Sequence, residues 1–181
     1  MAVRQHLAAL LGGGLVAYRD VPGGVGRPRR VWRVTPAADA FFPDSHAELA
    51  VGVLDSVRGA FGPEGVERLL AERTRRQVVE YRGRMPPPHA PLERKVAALA
   101  KIRREEGYMA AWGREADGAL ALVENHCPIC SAARACVGLC AGELSLFREV
   151  LGPRVTVERE EHILAGARRC RYRIAPRGRR R

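Results

Sequence analysis

All five cysteines of this 181-residue chain lie in its last third: Cys127, Cys130, Cys136 and Cys140 in one short stretch, answered by Cys170. No other feature restricts the fold so strongly. Thiols packed this densely suit soft metals, namely zinc, copper(I) or the iron of iron–sulfur clusters. Whichever of them act together must be brought to one point by the chain. The sequence reads as a helix from about residue 129 to 150. On a straight helix Cys140 would stand roughly 17 Å along the axis from its start, at 1.5 Å per residue, too far to share one ion with Cys127. Either a break near Val137-Gly138 folds Cys140 back, or the ligands are divided differently.

The compartment narrows the chemistry. No apolar run is long enough to span a bilayer, and Met1-Ala2-Val3-Arg4-Gln5-His6 lacks the basic-then-apolar order of a signal peptide. The expected location is the cytoplasm, where clustered cysteines read as metal-binding or redox-active rather than as disulfides. Cys127 and Cys130 form a CxxC, which allows a thiol-redox pair at a helix N-terminus. No βαβ pattern precedes it, however, and no second CxxC completes a zinc-finger spacing. Simple burial of thiols on an amphipathic helix suits Cys130 and Cys136 best. Neither a GxxxxGK phosphate loop nor a GxSxG elbow is present. The adjacent carboxylates Glu105-Glu106 and Glu160-Glu161 point to different faces and read as solvated. The chain is therefore read as a non-enzyme.

Charge is confined to the two ends. Of the formal net +11, residues 1–42 hold +4, residues 43–165 hold −1, and residues 166–181, with eight arginines and no acid, hold +8. A basic end can bind phosphate backbone through counterion release. The final run Arg177-Gly178-Arg179-Arg180-Arg181 reads as a tail.

The coarse pattern is α+β. Val3, Leu7, Leu10 and Leu11 place one apolar face on a helix over residues 2–12, closed by Gly12-Gly13-Gly14. Strands over 15–19 and 30–34 flank a Gly-rich basic loop at 22–28. Helices follow over 49–61, 66–81 and 92–106, with Pro86-Pro87-Pro88 as the expected domain boundary. A hairpin over 108–114 and 119–123 turns at Asp117-Gly118. After the cysteine helix, strands over 155–163 and 170–174 close the chain, and there is no internal repeat. The expected divisions are a partial winged helix (1–42), a helical linker or dimerisation region (43–107), a cysteine-containing sensor domain (108–175) and a basic tail (176–181).

Helix, strand, Gly-rich basic loop, strand is the order of a winged-helix DNA-binding unit. Arg4 and Gln5, near the start of the first helix with Ala8 and Ala9 behind them, suit a major groove, where Arg pairs with guanine and Gln with adenine. Arg27, Arg29 and Arg30 around Pro28 would carry guanidinium groups to phosphates or a minor groove.

These residues carry a resemblance. Met1 to Leu7, Gly14-Leu15-Val16, Gly26-Arg27-Pro28, Trp32-Arg33-Val34-Thr35 and Phe42-Pro43-Asp44-Ser45 resemble the SufR-like group of winged-helix repressors, related to the ArsR and DeoR types. In that group two or more helices precede the recognition helix. Here Met1 stands at its first turn, so the chain as written is expected to bind DNA weakly and a longer one to bind well. Leu122 to Pro128, Cys140 with Glu143 and Phe147, and Gly166 through Cys170 to Ile174 resemble the sensor domain of the same group. The stretch from Glu161-His162 to Cys170 is also similar to vinyl-reductase-like sensing domains.

The resemblance implies an iron–sulfur cluster, [2Fe–2S] or [4Fe–4S], on Cys127, Cys140 and Cys170. The family's fourth cysteine has no counterpart between Cys140 and Cys170. His162 is the expected substitute, since imidazole can replace thiolate, with Cys130 and Cys136 in reserve. Three thiolates and one imidazole also suit zinc. The expected function is a homodimeric repressor of double-stranded DNA governed by this site. The alternatives are a zinc-stabilised small-molecule sensor and a CxxC thiol-redox protein.

Overall fold

The computed structural model describes residues 2–22, 28–41 and 45–177. It divides into two compact units, Met1–Ser45 and His46–Arg181. In the first, α1 (Ala2–Gly12) leads into an antiparallel hairpin of β1 (Val16–Val21) and β2 (Arg29–Val34), followed by a 3₁₀ helix over Pro36–Phe41. α1 ends because the Leu15 and Gly14 N–H groups turn back onto the Leu10 and Leu11 carbonyls at 2.9 and 3.0 Å. That closure needs a left-handed residue, and Gly14 supplies it with φ 68°. Thr35 fastens the far end of the hairpin to this turn, its Oγ1 donating to the Gly14 carbonyl at 2.6 Å. The apolar stripe read on α1 is left uncovered. No residue of α1 is buried, and Val3, Leu10 and Leu11 remain 71%, 39% and 38% exposed.

The second unit has two layers. α2 (Ser45–Arg84) is broken at Gly62, whose φ of 69° and ψ of −175° interrupt the helix. Pro63 restarts it, since a proline costs nothing at a first helical position. α3 (Leu92–Glu105) follows, then β3 (Ala110–Arg114) and β4 (Leu120–Glu124), α4 (Cys130–Ala135), α5 (Gly138–Leu151), β5 (Val155–Glu161), a 3₁₀ turn over Ile163–Ala165 and β6 (Cys170–Pro176). The four strands form an antiparallel sheet in the order β3-β4-β6-β5.

The sheet's two faces differ sharply. Leu120, Leu122, Tyr172, Ile174, Val155 and Val157 turn inward against Val78 and Tyr81 of α2, Val96 and Leu99 of α3, and Leu146 and Phe147 of α5. Phe147 meets Tyr172 edge-on at 4.9 Å. The alternate residues Arg171 and Arg173 point the other way and pair with Glu115, Glu160 and Asp117. Period-two alternation thus separates a core face from an ion-paired face. Among the described residues no helix is long and apolar enough to cross a membrane.

The α+β class stands, and two expectations change. The helices read as a linker over 43–107 bury Val78, Tyr81, Val96 and Leu99 in the same core as the sheet. The Pro86-Pro87-Pro88 break turns the chain inside the second unit, and the unit boundary falls at Ser45. The helix read over 129–150 is interrupted at Cys136, which is extended with φ −142° and ψ 93°. The interruption lets α5 settle directly on α2. A Cβ at Gly138 would come within 2.6 Å of Leu70 Cδ1, and one at Gly142 within 2.8 Å of Thr74 Oγ1. The Leu70 and Thr74 side chains of α2 occupy the space that side chains at Gly138 and Gly142 would need.

Candidate metal centre

Four of the five thiols converge in the second unit. Cys127 lies in the loop after β4, and its sulfur accepts the Ile129 N–H at the entry to α4. Cys130 opens α4, its own N–H donating to the Cys127 carbonyl at 3.2 Å. Cys140 sits in the first turn of α5, and Cys170 begins β6 directly opposite Glu124. The Cys170 sulfur accepts the Ile163 N–H and a hydrogen bond from Tyr172.

Electrostatics shows which sulfurs share a neighbourhood. Burial pushes the Cys127 thiol up to about 12, and Cys130, Cys140 and Cys170 each push it further than its hydrogen bond alone would allow. Cys140 is raised by burial and then by Cys170, Glu143 and Cys130, with Arg159 opposing. Cys170 is raised by burial and by Glu124, with Arg159 and its hydrogen bonds opposing. Mutual repulsion of this kind falls off with distance, so Cys127, Cys130, Cys140 and Cys170 lie in one region of the second unit. Cys136 is not among the causes of these shifts; it packs with Leu54, Val66, Leu139 and also with Cys140 in a small apolar cluster.

The His162 pKa is lowered by burial and then by Arg159. Its Nε2 is buried without a hydrogen-bond partner. Within the expected set of Cys127, Cys140, His162 and Cys170, the three thiols act on one another, and Cys130 acts on Cys127 and Cys140. Among the described residues no group of three or more His, Cys, Asp or Glu side chains is placed to hold a metal ion. The residue types, soft sulfurs in partly desolvated surroundings, are those a thiophilic metal takes. Binding would displace protons from the raised thiols.

Beneath the thiols lies a buried ionic cluster. Arg103, 0% exposed, pairs through Nε with Glu124 at 2.6 Å and through Nη2 with Glu143 at 2.5 Å. Its Nη1 donates to the Tyr81 hydroxyl at 3.2 Å and reaches Glu106 at 3.4 Å. The guanidinium lies 3.3 Å from the centre of the Tyr108 ring. Glu143 also meets Arg73 of α2 at 3.3 Å. Burial alone would lower the Arg103 pKa, but Glu124 and Glu143 override it and hold it charged. A single guanidinium thereby joins α3, β4, α5 and α2.

No family model matches the chain, and no curated protein is similar to it in sequence.

The residues read as a DNA surface lie in the first unit. Arg4 and Gln5 are exposed on α1, and Arg29 is exposed at the start of β2. Arg27 lies outside the described residues, as do Phe42-Pro43-Asp44 and Arg179-Arg180-Arg181. Arg30 is not a spare cation. Its Nε and Nη2 donate to the two Asp20 carboxylate oxygens at 2.9 and 3.1 Å, and its guanidinium covers the Tyr18 ring at 3.7 Å. Arg4, Leu7 and Leu11 of α1 face Asp20, Arg30 and Trp32 across a cleft of about 600 Å³.

Arg103, Glu124, Glu143 and Arg159 were not singled out from sequence, though a signal was there. Arg103 continues the Val96, Leu99, Ala100 stripe of α3, and Glu124 continues the Leu120, Leu122 alternation of β4. Glu143 sits among Leu139, Cys140, Leu146 and Phe147 on the buried side of α5. Arg159 follows Val155 and Val157 on β5. A charge at the next position of a buried pattern marks a buried partner or a site.

Proposed function

We propose that this chain is a DNA-binding transcriptional regulator, a dimer on palindromic DNA, whose activity follows the occupancy of a cysteine-held metal or iron–sulfur cluster in its second unit. The observation that carries this reading is that Cys127, Cys130, Cys140 and Cys170 act on one another in one region around α4, the start of α5 and the start of β6. Cys127, Cys140 and Cys170 hold the group, and Cys130 completes the set in preference to His162. When bound, a cluster supplies electron-transfer or redox-sensing chemistry, and zinc supplies a structural cross-link.

The basic helix and hairpin support the DNA part. Arg4, Gln5 and Arg29 are open to a duplex, while Arg30 positions the hairpin through Asp20. Loading the site alters the packing of α5 on α2, and a difference in site occupancy between two DNA affinities is what couples them. The second reading is a CxxC thiol-redox protein using Cys127 and Cys130; catalytic CxxC thiols are held low, and the burial that raises Cys127 favours the metal reading over it.

The deciding experiment is anaerobic purification with metal analysis and a visible spectrum. Bound iron with sulfur-to-iron absorption supports the cluster, and a colourless zinc protein moves the reading to a zinc-stabilised sensor. Cys127→Ser and Cys130→Ser are expected to lose the metal, and His162→Ala to keep it. DNA affinity that is unchanged between loaded and metal-free protein would reject the regulatory coupling.

A further inference from the structure

The inward face of β5 runs Val155, Val157, Arg159, and the last of these is out of place. Arg159 is half-buried. Its Nη2 donates to the Cys140 carbonyl at 2.6 Å, and its guanidinium lies 5.2 Å from the centre of the Tyr172 ring. Its Nε is buried without a partner. The neighbouring arginines of the sheet are all consumed by carboxylates: Arg169 by Glu161, Arg171 by Glu115 and Glu160, and Arg173 by Glu115 and Asp117. Arg103 is consumed by Glu124 and Glu143. Among the described residues no carboxylate pairs with Arg159.

Register shows what it faces. Arg159 stands opposite Tyr172 on β6, and Cys170 is the next inward residue of that strand. A bulge between Arg159 and Glu161 interrupts the regular register there, and the guanidinium acts on both the Cys140 and the Cys170 thiol. The bond to the Cys140 carbonyl fixes the guanidinium on the other side, at the first turn of α5. Arg159 is therefore clamped between two of the four cysteines.

Charge explains why a cation belongs there. Four thiolates around a divalent ion leave a net negative centre. This one is half-desolvated and neighbours Glu124 and Glu143, which Arg103 and, for Glu143, Arg73 already pair, with Arg159 also acting on Glu124. A buried charge without compensation is costly.

We propose that Arg159 is the built-in counter-cation of the cysteine site, its guanidinium held by the Cys140 carbonyl and the Tyr172 ring so that its charge and free Nε–H serve the sulfurs of Cys140 and Cys170 when a thiophilic cation is bound. Arg159 is a positioning and charge-compensating residue, not a ligand. The inference rests on the metal-site reading above and assigns it a fifth residue outside the cysteines.

The test is anaerobic titration of the metal-free, reduced full chain with Co²⁺, followed by the sulfur-to-cobalt absorption band. Wild type is expected to develop the band. Arg159→Met and Arg159→Gln should bind Co²⁺ about 10- to 100-fold more weakly, and Arg159→Lys should recover most of the loss. Far-UV circular dichroism of each variant checks that it is folded. Equal Co²⁺ affinity in wild type and folded uncharged variants would overturn the role of Arg159 and leave the cysteine site standing. Absence of a thiolate band in wild type would overturn both.

Discussion

The two units solve the problem of charge in opposite ways. In Met1–Ser45 the ion pair of Arg30 with Asp20 is 41% and 46% exposed, and the helix beside it buries nothing. In His46–Arg181 an arginine at 0% exposure is enclosed by Glu124, Glu143 and two tyrosines. An exposed pair is screened and adds little. A buried one has lost its water, so each partner depends on the others. The second unit therefore carries a core whose polar centre must be complete, and the first carries a surface that tolerates change.

That contrast can be broken most directly at its centre. Arg103→Met leaves Glu124 and Glu143 buried and unpaired and is expected to cost about 3–5 kcal/mol, read as a lowered midpoint in urea. Adding Glu124→Leu and Glu143→Leu should restore much of the loss, and no recovery would mean that the cluster acts through something other than pairing. Phe147→Ala, at a fully buried position, should cost about 3–5 kcal/mol, whereas Leu10→Ala on the uncovered α1 should cost about 0.5 kcal/mol or less. Comparable losses at the two positions would show that α1 is covered in solution.

Finer effects separate the cysteines and the exposed ion pairs. Cys136→Ala is expected to cost about 1 kcal/mol of stability while metal content stays unchanged. Loss of metal in that variant would place Cys136 in the site. The smallest effect is on the solvent side of α2. Hydrogen bonds from Arg75 and Arg76 hold Glu72 at about 2, below its ordinary 4.5. A depressed carboxylate stabilises the folded chain above its unfolded pKa and stops doing so as pH falls through the folded one. Its contribution should therefore fade between about pH 4.5 and 2, and NMR titration of Glu72 midway at its ordinary value would show that the pairs do not persist.

Much of the architecture was legible because it is periodic. The helix over Ala2–Gly12, the hairpin strands, the helix over Leu92–Glu105 and the turn at Asp117-Gly118 all follow from local spacing and turn chemistry. At that turn Gly118 takes φ 83° and the Ala119 N–H donates to Asp117. The break at Cys136 was foreseen only as one of two options. Local propensity favours a continuous helix there, and it is the approach of Gly138 and Gly142 to α2 that decides otherwise. The packing of the helical region is hidden for a related reason: Val78, Tyr81 and Leu99 show an apolar face in the sequence but not the sheet that covers it.

The candidate site divides along the same line. From its residue types alone the chain determined that a dense thiol group exists, that its ends are basic, and that its elements are α+β, since these depend on composition and on periods of two and 3.6 residues. Only the tertiary structure decided that Cys127, Cys130, Cys140 and Cys170 share one region and that Arg159 reaches the Cys140 carbonyl from β5. Those facts depend on strand register, on Glu124 opposite Cys170 and Arg159 opposite Tyr172, and on a helix bent to meet another. Register and packing are set by the whole core at once, because apolar area is buried wherever the chain meets itself and not where neighbours in sequence happen to lie.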